Sequence, residues 1–228
     1  MTRAHAHRVI GVVDVATVAA SDERVEHVFS RAVDAGMRVA LLRGRGASAE
    51  ALREVAWAAL RDEAHARGVT LLCHETLFGV PELRAACWGE HFGAAALRAA
   101  PHAPSRLTTP DGAVRPMGVS THSAAELAEA GRLGASWALV SPFAPSRSKP
   151  GYGPTLGVEG VSHLASASSV PVFALAGVSA PRVKGLGASG AAGVAVMGML
   201  QDAPAHDALR RLFDVMEGEP WLPQTPWS

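Results

Sequence analysis

Apolar residues fall along this chain in short unbroken runs, separated by longer stretches of helical spacing. The runs at 8–14, 38–43, 70–74, 89–92, 115–120, 137–141, 172–176 and 193–197 read as strands buried on both faces. Between them, helical patterns cover 21–35, 48–67, 79–86, 123–133, 157–167, 180–186 and 205–216. Ser21, Ser48, Ser123 and Ser179 stand where N-caps are expected, and Glu126 three residues after Ser123 completes a capping box. Gly36, Gly68, Gly134 and Gly187 stand where helices should stop. Eight βα units in 228 residues suit an α/β fold, a minimal (β/α)8 TIM barrel in one domain over 1–220. A doubly wound open sheet is the alternative. The stretch 101–116, rich in Pro, Thr and Gly, reads as a loop. Residues 221–228 read as a C-terminal tail, either disordered or docked onto a partner subunit.

Composition narrows the function classes. Hydrophobic content is 48%, so disorder throughout is not expected. The 21 basic and 21 acidic side chains cancel, which argues against a nucleic-acid or anionic-membrane surface. Cys73 and Cys87 have neither metal nor disulfide spacing. The N-terminal apolar run contains Asp14 and lacks the shape of a signal peptide, and no run is long enough to span a bilayer. The expected location is the cytoplasm.

In a βα barrel, the C-terminal strand ends carry the chemistry. Glycines close strands seven and eight, at Gly177 and in the pair Met197–Gly198. There a phosphate could meet bare amides, or the glycines could simply turn the chain. Arg43 and Arg45, two apart, could face the mouth together and bind a phosphate or diphosphate, or could be solvated charges. Lys149, with Ser146 and Ser148, lies in a hydroxyl-rich loop that could hold an oxyanion. His122 follows strand five, and an imidazole there could move protons, or it could be a bystander at a helix start. His74, His91 and Glu75 could approach a metal, but their spacing matches no strong template.

Taken in order, GVSTHS from Gly118, the Pro142–Phe143 loop ending in Ser148–Lys149, the helix start at Gly157-Val158-Glu159, PVFALAG and GAAGVAVM resemble the thiamine phosphate synthase and TenI superfamily. LLRGR and HFG in the first half are looser matches. The resemblance implies a (β/α)8 barrel of thiamine biosynthesis. In its synthase branch, a pyrimidine diphosphate loses pyrophosphate and the carbocation is caught by the nitrogen of a thiazole phosphate, with Mg2+ assisting. Carried over by this likeness, Arg43, Arg45, Ser120, Ser146, Ser148 and Lys149 are substrate-side residues. His74 stands at the asparagine and Glu75 at the aspartate of the metal-side pair. Gly177, Met197 and Gly198 form the thiazole-phosphate cradle.

The departures lie on the metal side. The pair Asn-Asp is His74-Glu75 here, Ala96 replaces a second aspartate, Leu41 replaces a glutamine, and Ala176 replaces a glycine. The cradle is kept. This pattern resembles TenI-like relatives, some of which tautomerise a thiazole carboxylate phosphate without a metal. The expectation is therefore a TenI-like thiazole tautomerase with His122 as proton shuttle, Lys149 and its neighbouring serines orienting the ring's carboxylate, and no cofactor. The alternatives are a divergent synthase using Mg2+ near Glu75, and a non-catalytic binder of a phosphate ligand. A small phosphorylated thiazole is the expected partner, and barrels of this size often form homodimers.

Overall fold

The computed structural model describes residues 5–21, 23–99, 106–108, 112–147, 150–151, 153–201, 205–221 and 225–227. Eight strands, β1 (Val9–Asp14), β2 (Val39–Arg43), β3 (Thr70–His74), β4 (Gly89–Phe92), β5 (Met117–Thr121), β6 (Trp137–Val140), β7 (Val172–Leu175) and β8 (Gly193–Val196), pair in parallel in sequence order. β8 returns to β1, so the sheet closes into a barrel. The expectation of a (β/α)8 TIM barrel holds, and the open sheet is excluded. Among the described residues, no helix is long and apolar enough to cross a membrane.

Continuous apolar runs form strands here because both faces are covered, and the period of two sorts their side chains. Val9, Val13, Leu42, Cys73, Val119, Val140 and Val194 belong to an outer core beneath the helices. Ile10, Val12, Val39, Leu41, Leu72, Trp137, Leu139, Phe173 and Ala195 form a separate inner core along the barrel axis. Continuing the inward parity by one step gives Asp14 after Val12, Arg43 after Leu41, His74 after Leu72 and Ser141 after Leu139. The polar end of each strand is thereby delivered to one mouth of the barrel.

The helices follow the expected order, with local departures. α1 (Val15–Ala19) starts directly after β1 because Asp14 caps it, accepting from the Thr17 amide at 3.0 Å. α2 (Val25–Asp34) starts after Arg24 rather than Ser21. The helix expected over 48–67 is two helices, α3 (Ala49–Glu54) and α4 (Trp57–Ala66). At the break, the Ala56 amide donates to the Glu26 carboxylate instead of to its own helix. α5 (Pro81–Ala86), α6 (Ala94–Ala99), which the helical spacing did not predict, α7 (Ala124–Arg132) and α8 (Gly157–Ala167) follow. Ser48 and Ser123 cap as expected, accepting from Ala51 and Glu126 amides at 3.1 and 3.2 Å. The helix expected over 180–186 does not form. Arg182 and Val183 both donate to the Ser179 carbonyl, and a chain of turns leads to β8. Pro181, Gly185, Gly187 and Gly190 explain the failure, since glycine and proline cost a helix more than other residues. α9 (Gly198–Gln201) and α10 (Ala205–Glu217) close the order, with Leu209, Leu212, Phe213 and Met216 of α10 buried.

Trp137 occupies the barrel axis at 0% exposure. It fits because Gly118 on the neighbouring strand has no side chain: a Cβ there would lie 2.0 Å from Trp137 Cε2. Below it, the tail folds back on its own chain. Trp227 meets Trp137 and Phe173 at ring-centroid distances of 5.5 and 5.3 Å, and its indole N–H donates to the His7 carbonyl at 2.7 Å. The described tail residues thus seal the floor of this barrel, where the sequence had suggested disorder or a partner's surface.

A methyl group at position 118 is therefore expected to be an overpacking mutation. Gly118→Ala should lose about 3 kcal/mol in urea unfolding or fail to fold, at the upper end of such changes. Gly118→Ala combined with Trp137→Leu should regain most of that loss. A single mutant as stable as the parent would show that the indole is not fixed in the axis.

Candidate active site at the barrel mouth

The C-terminal strand ends enclose a cavity of about 960 Å3. Of the residues singled out from the sequence, Arg43, Arg45, His74, Ser120, Ser146, Gly177, Met197 and Gly198 line it. Glu75 and His122 are not on its wall. Ser148 and Lys149 lie outside the described residues. His91, singled out as a possible metal neighbour, also lines the cavity, and the structure adds Asp14, Ser141, Arg147 and Arg182 to the wall. Asp14 and Ser141 were not picked out as site residues, although their places at the ends of their runs, in step with Val12 and Leu139, could have found them. Arg182 could not be found this way, because its segment carried a helical pattern.

Asp14 organises one side. It is 2% exposed, and Oδ1 accepts from the Thr17 amide and, at 2.7 Å, from the Thr17 hydroxyl. Oδ2 accepts from Arg43 Nε at 2.5 Å. Arg43 Nη2 lies 2.9 Å from Met197 Sδ, which ties β2 to the end of β8. The guanidinium is thus held by its register partner on the adjacent strand and by the residue that follows β8. After β7, Arg182 Nη1 donates to the Gly177 carbonyl at 3.1 Å. Gly177 has φ +65, and a Cβ would lie 2.5 Å from the Ala144 carbonyl oxygen, so only glycine fits this turn. Ala176 before it also has positive φ, at 77°.

Two histidines line the inner wall as neutral rings. His74 Nδ1 accepts from the Thr76 amide at 3.2 Å, capping the turn after β3. Burial, helped by Arg43 and Arg45, lowers its pKa to about 4. His91 is fully buried, and burial together with His74 and Arg43 holds it well below its ordinary value. The two ring centroids are 5.7 Å apart. His91 Nε2 lies 2.9 Å from Ser120 Oγ.

His122 is exposed, and its Nδ1 lies 3.0 Å from the Ser141 carbonyl oxygen. Its own amide donates to Glu126 at 2.6 Å, so the capping box is closed by His122 rather than by the Ser123 amide. The Ser141 hydroxyl also lies 3.1 Å from Nδ1, so the ring contacts a wall residue without lining the cavity itself.

The expected magnesium residues do not fit a hard cation. Asp14 has both oxygens committed. Glu75 Oε1 accepts from the Gly93 amide at 3.1 Å, and burial raises its pKa, against the pull of that amide and Arg45. His74 offers a nitrogen, and Ala96 offers nothing. Magnesium prefers several oxygen ligands. Among the described residues, no group of three His, Cys, Asp or Glu is placed to hold a metal ion.

The lowered His74 pKa fixes the sign of a pH effect. Above pH 6.5, folded and unfolded chains both keep this ring neutral. Below it, the unfolded chain binds a proton and the folded one does not, so stability falls until about pH 4. The loss attributable to this ring is on the order of 3 kcal/mol. Urea unfolding from pH 7.5 to 4 should show it, and His74→Asn, which keeps an acceptor for the Thr76 amide, should flatten the slope. An unchanged slope would mean that His74 charges freely in the native state.

Similar proteins share both sequence and fold. The thiamine-phosphate synthase of Salinispora tropica is 45% identical over 92 residues, which is 40% of this chain and 44% of that one. Its counterpart from Salinispora arenicola is 40% identical over the same coverage, so this chain spans less than half the length of these relatives. A Geobacter sulfurreducens relative is 30% identical over 190 residues, 83% of this chain and 85% of that one. Among solved structures, the thiamine phosphate pyrophosphorylase of Pyrococcus furiosus superposes with a TM-score of 0.69 at 16% identity, covering 92% of this chain and 96% of that one. The family model described as thiamine monophosphate synthase matches residues 12–200. With the closed barrel and these matches together, the chain belongs to the thiamine monophosphate synthase and TenI family.

Proposed function

We propose that this protein joins a pyrimidine diphosphate to a thiazole phosphate and releases pyrophosphate, as a thiamine-phosphate synthase. The observation that carries the reading is the cavity wall itself. It sets Arg43, Arg45, Arg147 and Arg182 around a space of about 960 Å3, with Gly177 and Gly198 in the same wall. A pocket of this size accommodates two small substrates together. The relatives named for this activity support the same choice.

In this reading, the thiazole phosphate sits against the amides at Gly177 and Gly198, and the diphosphate lies towards the guanidiniums. The carbon–oxygen bond to the diphosphate breaks, and its electron pair leaves with pyrophosphate. The thiazole nitrogen supplies a lone pair to the methylene carbon, and the positive charge ends on the new thiazolium ring. The protein's contribution is electrostatic: fixed cations and donors aimed at the departing anion. Asp14 pre-aligns Arg43, so that little reorganisation is needed as charge develops. No step is assigned to magnesium, because the acids present do not suit it.

The tautomerase preference from the sequence loses ground on geometry. It needs an acid/base group against the ring, and His122 is exposed, held at the Ser141 carbonyl and absent from the wall. Lys149, its companion in that reading, lies outside the described residues.

The purified protein supplied with both substrates should release pyrophosphate and form thiamine phosphate. Proton exchange into a thiazole carboxylate phosphate without coupling would instead favour the tautomerase, and binding without either reaction a non-catalytic binder. The cradle has its own test. A Cβ at Gly198 meets nothing within 4 Å, so Gly198→Ala should leave the melting temperature unchanged. It should raise KM for the thiazole phosphate about tenfold, a loss of roughly 1.4 kcal/mol. An unchanged KM would move the phosphate elsewhere.

A further inference from the structure

His91 is the most deeply buried polar side chain of the mouth, and nothing in the reaction above uses it. It sits at the centre of β4, facing the barrel axis. Its ring stacks on Trp137, with centroids 6.1 Å apart and planes inclined by 29°. His74 flanks it at 5.7 Å. Nε2 reaches Ser120 Oγ at 2.9 Å, while Nδ1 is buried with no hydrogen-bond partner. Both His91 and Ser120 contribute to the cavity wall.

Only one proton placement avoids the larger penalty. A neutral imidazole carries one N–H and one lone pair. A proton on Nδ1 would be a buried donor with no acceptor, which native structures rarely tolerate. A proton on Nε2 is satisfied by Ser120 Oγ, and the bare lone pair of Nδ1 is the lesser cost. The serine oxygen then accepts from His91, so its own proton must point elsewhere.

We propose that His91 is a positioning residue: its Nε2–H fixes the Ser120 hydroxyl as an acceptor on the barrel side, so that Ser120 presents its proton to an anionic oxygen in the cavity. The proposal rests on the anion-binding reading of the cavity given above. His91 touches no reacting atom. Held neutral by burial, with His74 and Arg43 adding to the effect, it keeps this arrangement across the working pH range. Trp137 supplies the flat support that fixes the ring's angle.

Two measurements decide it. The first needs no ligand: 15N-resolved NMR of the histidine rings should show His91 protonated on Nε2 alone from pH 5 to 9, and Ser120→Ala should move that resonance. A proton on Nδ1, or titration within that range, overturns the proposal. The second uses inorganic pyrophosphate as the calorimetric probe. His91→Phe, which keeps a flat ring against Trp137, should weaken binding about tenfold, as expected for losing an oriented donor to a charged group. Ser120→Ala should cost the same, and the double variant no more than either, because the two residues act as one unit. His91→Gln, whose amide can still donate to the hydroxyl, should recover most of the affinity and also covers the case in which the phenylalanine variant misfolds. Additive losses, or His91→Phe binding like the parent, overturn the proposal. If the parent itself takes up no pyrophosphate, the synthase reading falls, while the NMR result still decides how His91 holds Ser120.

Discussion

A closed ring of eight parallel strands has to fill its own axis, and here a single indole carries much of that burden. Trp137 is too large to sit opposite any side chain on β5, so Gly118 faces it, and Phe173 and the tail's Trp227 complete the layer below. The layer above is then set by what can rest on the indole face. His91 rests there, and it turns Ser120. The geometry of the mouth is therefore anchored from beneath as well as by the loops around it. Protein interiors transmit such contacts because they are packed close to crystal density.

Charge at the mouth is arranged with the same economy. Asp14 caps α1, orients Arg43 and adds no free carboxylate to the cavity. Two neutral imidazoles line the inner wall, while arginines face the opening. The wall thus carries more guanidinium groups than free carboxylates, which supports the anion-binding reading proposed above and offers a divalent ion few oxygen ligands. Guanidiniums suit phosphate groups, which they can engage through two parallel donors.

How much of this was legible from the chain depends on the period involved. The strands were plain, because two-sided burial leaves unbroken apolar runs such as VIGVVD and WALV. Strand-end position pointed to Arg43 and His74 at the mouth, but Asp14 and Ser141 joined them only once the structure showed which parity faces inward. Helices were less plain. The 48–67 pattern is helical throughout, yet Glu26, far away in sequence, takes the Ala56 amide and splits it. Residues 180–186 carry helical spacing, but the surrounding glycines and proline prevail. His122 sits beside a motif shared with relatives, and only the fold reveals that its ring leans on Ser141 rather than facing the cavity. The Asp14–Arg43 pair and the His91–Ser120 pair join neighbouring strands, 29 residues apart in each case, and such pairings exist only once those strands have come into register.

The bond from the Trp227 indole to the His7 carbonyl spans 220 positions of sequence. It lies next to the seam where β8 meets β1. During synthesis, β1 is made long before β8, its second neighbour, exists, and the floor cannot be sealed until Trp227 has left the ribosome. Each nascent copy thus passes through a stage in which the edges of β1 and β8 are open to solvent and to other chains.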